Sequence, residues 1–174
     1  MSADDYARVY DQFQVPEGGW TVVAVFGHNV GDGANIGSVS WEIRRGMASG
    51  TPGEVVASGV SPAVQVPDPS ITSPPYRAEV LADLVQHHFR IQANYLNVRL
   101  AAGNYWLSVT PVGVKTTFAS PTLGGNAVGV GPNGPRPALV DRTAGPRFAI
   151  AESVGGTGQV GRARFFSQGV IIAR

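Results

Sequence analysis

From Ser38 to Arg45 the side chains alternate without a break, Val39, Trp41 and Ile43 on one side and Ser40, Glu42 and Arg44 on the other. A two-residue period places every second side chain on one face of an extended strand, and no helix produces it. The period returns over residues 88–100. Phe89, Ile91, Ala93 and Tyr95 face inward there, with His88, Arg90, Gln92 and Asn94 outward. It continues as Leu96, Val98 and Leu100 against Asn97 and Arg99, so the phase slips between Tyr95 and Leu96 and predicts a bulge or a bend. Over residues 8–15, Val9, Phe13 and Val15 share a face, with Asp11 as the exception. Residues 20–27 (WTVVAVFG) are apolar on both faces, which predicts a central strand.

Gly and Pro bound these runs. The 23 Gly and 13 Pro residues make up about a fifth of the 174-residue chain, a density that interrupts helices every few residues. Yet 43% of residues are hydrophobic and 14% charged, the opposite of a disordered composition. Turns are predicted at 16–19 and 46–53, a loop at 28–37, and short strands at 54–60 and 62–66. Residues 67–75, rich in Pro, read as an exposed extended loop, because Pro cannot donate within a ladder. Residues 76–84 (YRAEVLADL) are compatible with a single helical turn or with a strand. Ala101-Ala102-Gly103-Asn104 reverses the chain into a strand over 105–112, and 115–146 reads mostly as loop. The last strands are predicted at 147–154 and 162–172. The expectation is an all-β fold of about nine or ten strands: one antiparallel β-sandwich, jelly-roll-like, over residues 1–174. Its C-terminal extension, 155–174, is expected to form an edge or an exchanged strand.

The formal net charge of +1 carries no excess that would draw nucleic acid or anionic lipid. No apolar run approaches the ~20 residues of a membrane-spanning helix. Cys is absent, which removes disulfides, thiolate metal sites and cysteine nucleophiles together. The start, Met1-Ser2-Ala3-Asp4-Asp5, is acidic and lacks the basic and apolar regions of a signal peptide.

Two stretches match G-x-G-x-x-G, at Gly129–Gly134 and Gly156–Gly161. A dinucleotide site needs a helix immediately after such glycines. Pro135-Arg136-Pro137 follows the first and a β-rich tail the second, so both read as turn glycines. His87 and His88 are adjacent and would point to opposite faces of a strand, unable to chelate one ion together. No G-x-S-x-G is present, so a serine-hydrolase reading has no motif. Oxygen donors for Ca²⁺ could come from Asp4-Asp5, or from Asp32 with Asn35, although neither has a dense D-x-D-x-D pattern. No cofactor is otherwise expected.

Aromatic faces can meet the apolar faces of sugar rings. Trp20, Trp41 and Trp106, with Tyr6, Tyr76 and Tyr95, are the residues available for this. Trp41 shares its face with Val39 and Ile43 and reads as core, which leaves Trp106 and Tyr76 as the better platform candidates. Trp106 is either covered, with both faces of its strand buried, or a surface contact. The row His88, Arg90, Gln92, Asn94 is either a solvated sheet face or a polar partner surface.

Three segments resemble a known module. Asp5-Tyr6 through Phe13-Gln14-Val15-Pro16 and Gly19-Trp20-Thr21 is similar to the opening of secreted bacterial β-sandwich modules. These are the modules of exosortase-sorted (PEP-CTERM) and related choice-of-anchor surface proteins. Residues 100–109 (LAAGNYWLSV) resemble their hairpin, the most specific of the three matches. Gly125-Asn126-Ala127 with Arg147-Phe148-Ala149-Ile150 resembles their later loop and strand. The resemblance covers nearly the whole chain. It implies an extracellular or cell-surface bacterial sandwich without assigned catalysis, any leader being cleaved or outside this sequence. The anchor helix and basic tail of such proteins have no counterpart here, and 162–172 lies beyond the family pattern.

The expected function is a non-enzymatic extracellular structural module acting through contacts with its own copies or with neighbouring surface proteins. A strand such as Val170-Ile171-Ile172 at a sheet edge would invite pairing with another chain. The alternative is a carbohydrate-binding module with a polysaccharide as partner, which rests on fold analogy. The contact residues expected from these readings are Trp106, Tyr76, His88, Arg90, Val170 and Ile172.

Overall fold

The computed structural model describes residues 7–31, 35–67, 87–113, 117–119, 121–122, 139–142, 149–150, 165–166 and 168–173. Every regular element among them is a strand. The first sheet runs, in spatial order, β12 (Ala149–Ile150), β11 (Leu139–Arg142), β1 (Ala7–Val15), β8 (Gly103–Val112), β3 (Ser38–Arg45) and β4 (Glu54–Pro62). The second runs β14 (Gln168–Ile172), β2 (Trp20–Gly31), β6 (His87–Ala93) and β5 (Val64–Pro67), with β7 (Val98–Leu100) and β9 (Thr117–Ala119) also paired to β2. A short pair, β10 (Pro121–Thr122) and β13 (Phe165–Phe166), stands apart from both. All these pairings are antiparallel. The chain changes sheet from β1 to β2, β2 to β3, β4 to β5, β7 to β8 and β8 to β9, and the result is an antiparallel, jelly-roll-like β-sandwich.

The alternation of β3 becomes the inner wall of the first sheet. Val39, Trp41 and Ile43 are buried, and in register Trp41 lies beside Val109 and Ile43 beside Leu107. Phe13, Val15 and Tyr105 complete that wall, and Val22, Val25, Phe89, Ile91, Ala93 and Leu100 face it from the second sheet. Each Val, Leu, Ile and Phe side chain among them contributes about 1.5–3 kcal/mol by leaving water. The central position predicted for residues 20–27 is observed: β2 has β6 and β7 along one side, β14 and β9 along the other.

The slip predicted at Tyr95 is also present. Tyr95 sits at φ 60 between β6 and β7, opposite an irregularity of β2 at Val23, whose carbonyl accepts from the Leu96 N–H at 2.9 Å. Its expected inward direction is not observed. Ala93 is fully buried, but Tyr95 is 101% exposed, because the left-handed residue turns the strand before the next inward position.

Two further expectations change. Residues 28–31 are strand rather than loop, since the backbone there is paired on both sides, with β6 and with β9. The buried Asn29 is accommodated by donating from Nδ2 to the Gly27 carbonyl at 3.2 Å. The region 115–146 also supplies β9, β10 and β11, strands too short for periodicity to reveal. Of the strand expected at 147–154, only Ala149–Ile150 lies among the described residues.

The opening segment and the 100–109 hairpin meet in space. Phe13 pairs in register with Tyr105 and stacks on it at 5.7 Å, while Trp20 stacks on Phe13 at 6.4 Å. The Tyr105 hydroxyl closes its own turn by donating to the Ala101 carbonyl at 3.0 Å. Gly19, at φ 70, passes so close to this hairpin that a Cβ would stand 2.5 Å from the Leu100 oxygen.

Candidate functional site

The outer face of the first sheet is ordered by its register. Glu42 on β3 is level with Ser108 on β8, and Tyr10 on β1 lies one strand further. The small Ser108 lets the Tyr10 side chain cross β8 and donate from its hydroxyl to Glu42 Oε1 at 2.8 Å. Arg44 bonds the same carboxylate and lies over the Tyr10 ring at 5.9 Å. Arg8 stands 3.6 Å from Glu42 and donates to Ser40 Oγ at 3.0 Å. Burial first, then the Glu42 hydrogen bond and charge, push the Tyr10 phenol up to about 12. Burial acts to lower the Arg44 pKa, but Glu42 and Tyr10 together outweigh it and the guanidinium stands above its usual value. Met47, from the β3–β4 turn, packs with Tyr10 and Trp106 into a second buried cluster. This constellation is closed, its carboxylate holding a phenol and two guanidinium groups.

The outer face of the second sheet carries a row read straight off the register, Val64, Gln92, Phe26 and Gly169. A Cβ on Gly169 would meet the Phe26 ring at 2.6 Å, so the glycine makes room for it. Arg90 lies over that ring at 5.6 Å, and His28 meets its edge at 5.6 Å. Arg90 Nε and Gln92 Oε1 are buried without a hydrogen-bond partner. Gln92 Nε2 donates to Asn94 Oδ1, and the face ends at the exposed Tyr95.

The sheet ends form a third surface. Among the described residues β4 closes one end of the first sheet, and β14 and β5 close the two ends of the second. Val55 and Val60 of β4 are exposed, as are Ile171 and Ile172 of β14 and Val64 of β5. No charged residue and no proline lies between Glu54 and Pro62 or within β14.

The structure redistributes the residues predicted for contact. Trp106 is 4% exposed beneath Tyr10 and Met47, which corrects its reading as an exposed platform: both faces of β8 are covered. Arg90 is on the outer face, half-buried over Phe26. His88 pairs with Val30 through its backbone in β6. Val170 packs partly buried against the main core, and Ile172 is exposed on β14, which pairs with β2 within the chain. Asn35 is exposed. Tyr76, Tyr6, Asp4, Asp5, Asp32 and both G-x-G-x-x-G stretches lie outside the described residues. Among the described residues no group of three or more His, Asp or Glu could hold a metal ion, and no helix is long and apolar enough to cross a membrane.

Sequence reasoning missed Tyr10, Glu42, Phe26 and Gly169 as members of ordered outer faces. The signal for Tyr10 was present, since it falls on the opposite phase to Phe13 and Val15. Its partner Glu42 is 32 residues away and could be placed only by register. No family model matches this chain, and neither a curated protein nor a solved structure matches it.

Proposed function

We propose that this chain is a non-enzymatic structural module of a bacterial cell surface, working through contacts with neighbouring protein chains and with further copies of itself. The observation that carries the reading is that β4 and β14, end strands among the described residues, present exposed Val55, Val60, Ile171 and Ile172. An end strand has one row of N–H and C=O groups with no neighbour, a template for an added strand. Natural sheets blunt such strands with lysines, prolines, inward charges or bulges. Here β4 has an irregularity next to Ile43 of β3, and beyond it Ala57–Ser61 runs without charge or proline. The low charged fraction, 14%, adds little repulsion between copies. The extracellular setting is supported by the resemblance of residues 100–109 to modules of exosortase-sorted surface proteins.

Light scattering of the whole chain, from dilute to concentrated solution, tests this. Association is expected to grow with concentration and to weaken in Val60→Lys or Ile172→Lys, each of which puts a charge on an end strand. A chain that stays monomeric throughout, or associates equally well in both variants, overturns the reading.

A further inference from the structure

Tyr95 adds no side chain to the core. Its side chain is fully exposed, at 101%, while its neighbours Ala93 and Leu96 serve the core. Its backbone sits at φ 60, and it is the one non-glycine residue at positive φ among the described residues. That conformation is costly for a bulky side chain and is usually left to Gly or Asn. The chain has Asn at the adjacent position 94 and again at 97, yet places the aromatic ring at the strained position. Strain and exposure together point to a role outside folding.

The surroundings indicate the chemistry. From Gln92 to Val98 the chain reads QANYLNV, with no charged residue. Gln92 holds the Asn94 side chain through a hydrogen bond from its Nε2, and Asn97 is exposed. Carboxamides both donate and accept, as sugar hydroxyls do, and an aromatic face meets the apolar face of a pyranose ring. We propose that the β6–β7 bend is a binding site for a neutral polysaccharide, with Tyr95 as the stacking residue and Asn94 and Asn97 as hydrogen-bonding partners. This goes beyond the contact role proposed for the sheet ends and uses none of their residues.

Affinity gel electrophoresis of the whole chain tests it, with soluble β-glucan, galactomannan and dextran as neutral probes and alginate as an acidic one. At least one neutral polysaccharide is expected to retard the chain. Tyr95→Ala is expected to weaken that affinity at least tenfold, and Asn94→Ala or Asn97→Ala severalfold. Ser49→Ala, exposed in the β3–β4 turn of the other sheet, is expected to bind as the parent does. An unchanged melting temperature in Tyr95→Ala separates lost binding from lost folding. Retardation by none of the neutral polysaccharides, by alginate alone, or equally in Tyr95→Ala overturns the proposal. So does a protein partner lost on Tyr95→Ala without any polysaccharide binding.

Discussion

Gln168 of β14 donates from Nε2 to the carbonyl of Val9 on β1 at 3.2 Å, across 159 residues of chain and from one sheet to the other. Its Oε1 accepts from the Val109 N–H of β8 at 2.6 Å. The β1–β8 ladder ends at Asp11 and Leu107, and its continuation would bring Val9 opposite Val109. The Gln168 amide therefore stands as a rung where the two strands part. Gly27, its register partner on β2, has no side chain to obstruct it. Gln168→Leu keeps similar bulk and leaves both backbone groups without that partner. A loss of about 1–3 kcal/mol is expected, read as a lower urea midpoint at unchanged m-value.

Burial of Tyr10, with its bond to Glu42, gives stability a dependence on alkaline pH. The phenol is held up to about 12 in the folded chain against 10.0 as its ordinary value. Between these values the unfolded chain loses the proton and the folded chain keeps it, so stability is complete below pH 10 and falls as pH rises towards 12. Chemical denaturation at stepped pH is expected to show this decline, and Tyr10→Phe is expected to flatten it. An equally steep decline in Tyr10→Phe counts against the bond.

Gly18 and Gly19 separate backbone strain from steric clash within one turn. Both have positive φ, 96 and 70, but a Cβ on Gly18 meets nothing within 4 Å whereas one on Gly19 meets the Leu100 carbonyl. Gly18→Ala is expected to cost about 1 kcal/mol, and Gly19→Ala about 2–3 kcal/mol. Equal melting temperatures in the two variants would show that the hairpin yields freely at Leu100.

Trp106 and Tyr95 should respond in opposite ways to substitution. Trp106→Ala opens a cavity beside Tyr10 and Met47 and is expected to cost about 3–5 kcal/mol. Tyr95→Asn relieves the left-handed backbone without exposing core, and a gain of up to about 1 kcal/mol is expected. Thermal unfolding of both variants checks the contrast.

Local pattern was enough to settle the strand character of this chain, because a period of two is a property of neighbours. It placed Val39, Trp41 and Ile43 in the core, made residues 20–27 a central strand, and marked the bend beside Tyr95. It also set out both possibilities for Trp106 and could not choose between them, since what covers an outer face comes from elsewhere in the chain. Register made that choice. It brought Tyr10 level with Ser108 and Glu42, laid Met47 over Trp106, and turned Gln168 into a link between sheets. The direction of Tyr95 was likewise decided by one backbone angle opposite Val23, which no count of alternating residues contains. Alternation specifies which face of a strand is apolar. Which strands stand side by side, and at what offset, follows from closing the whole core at once.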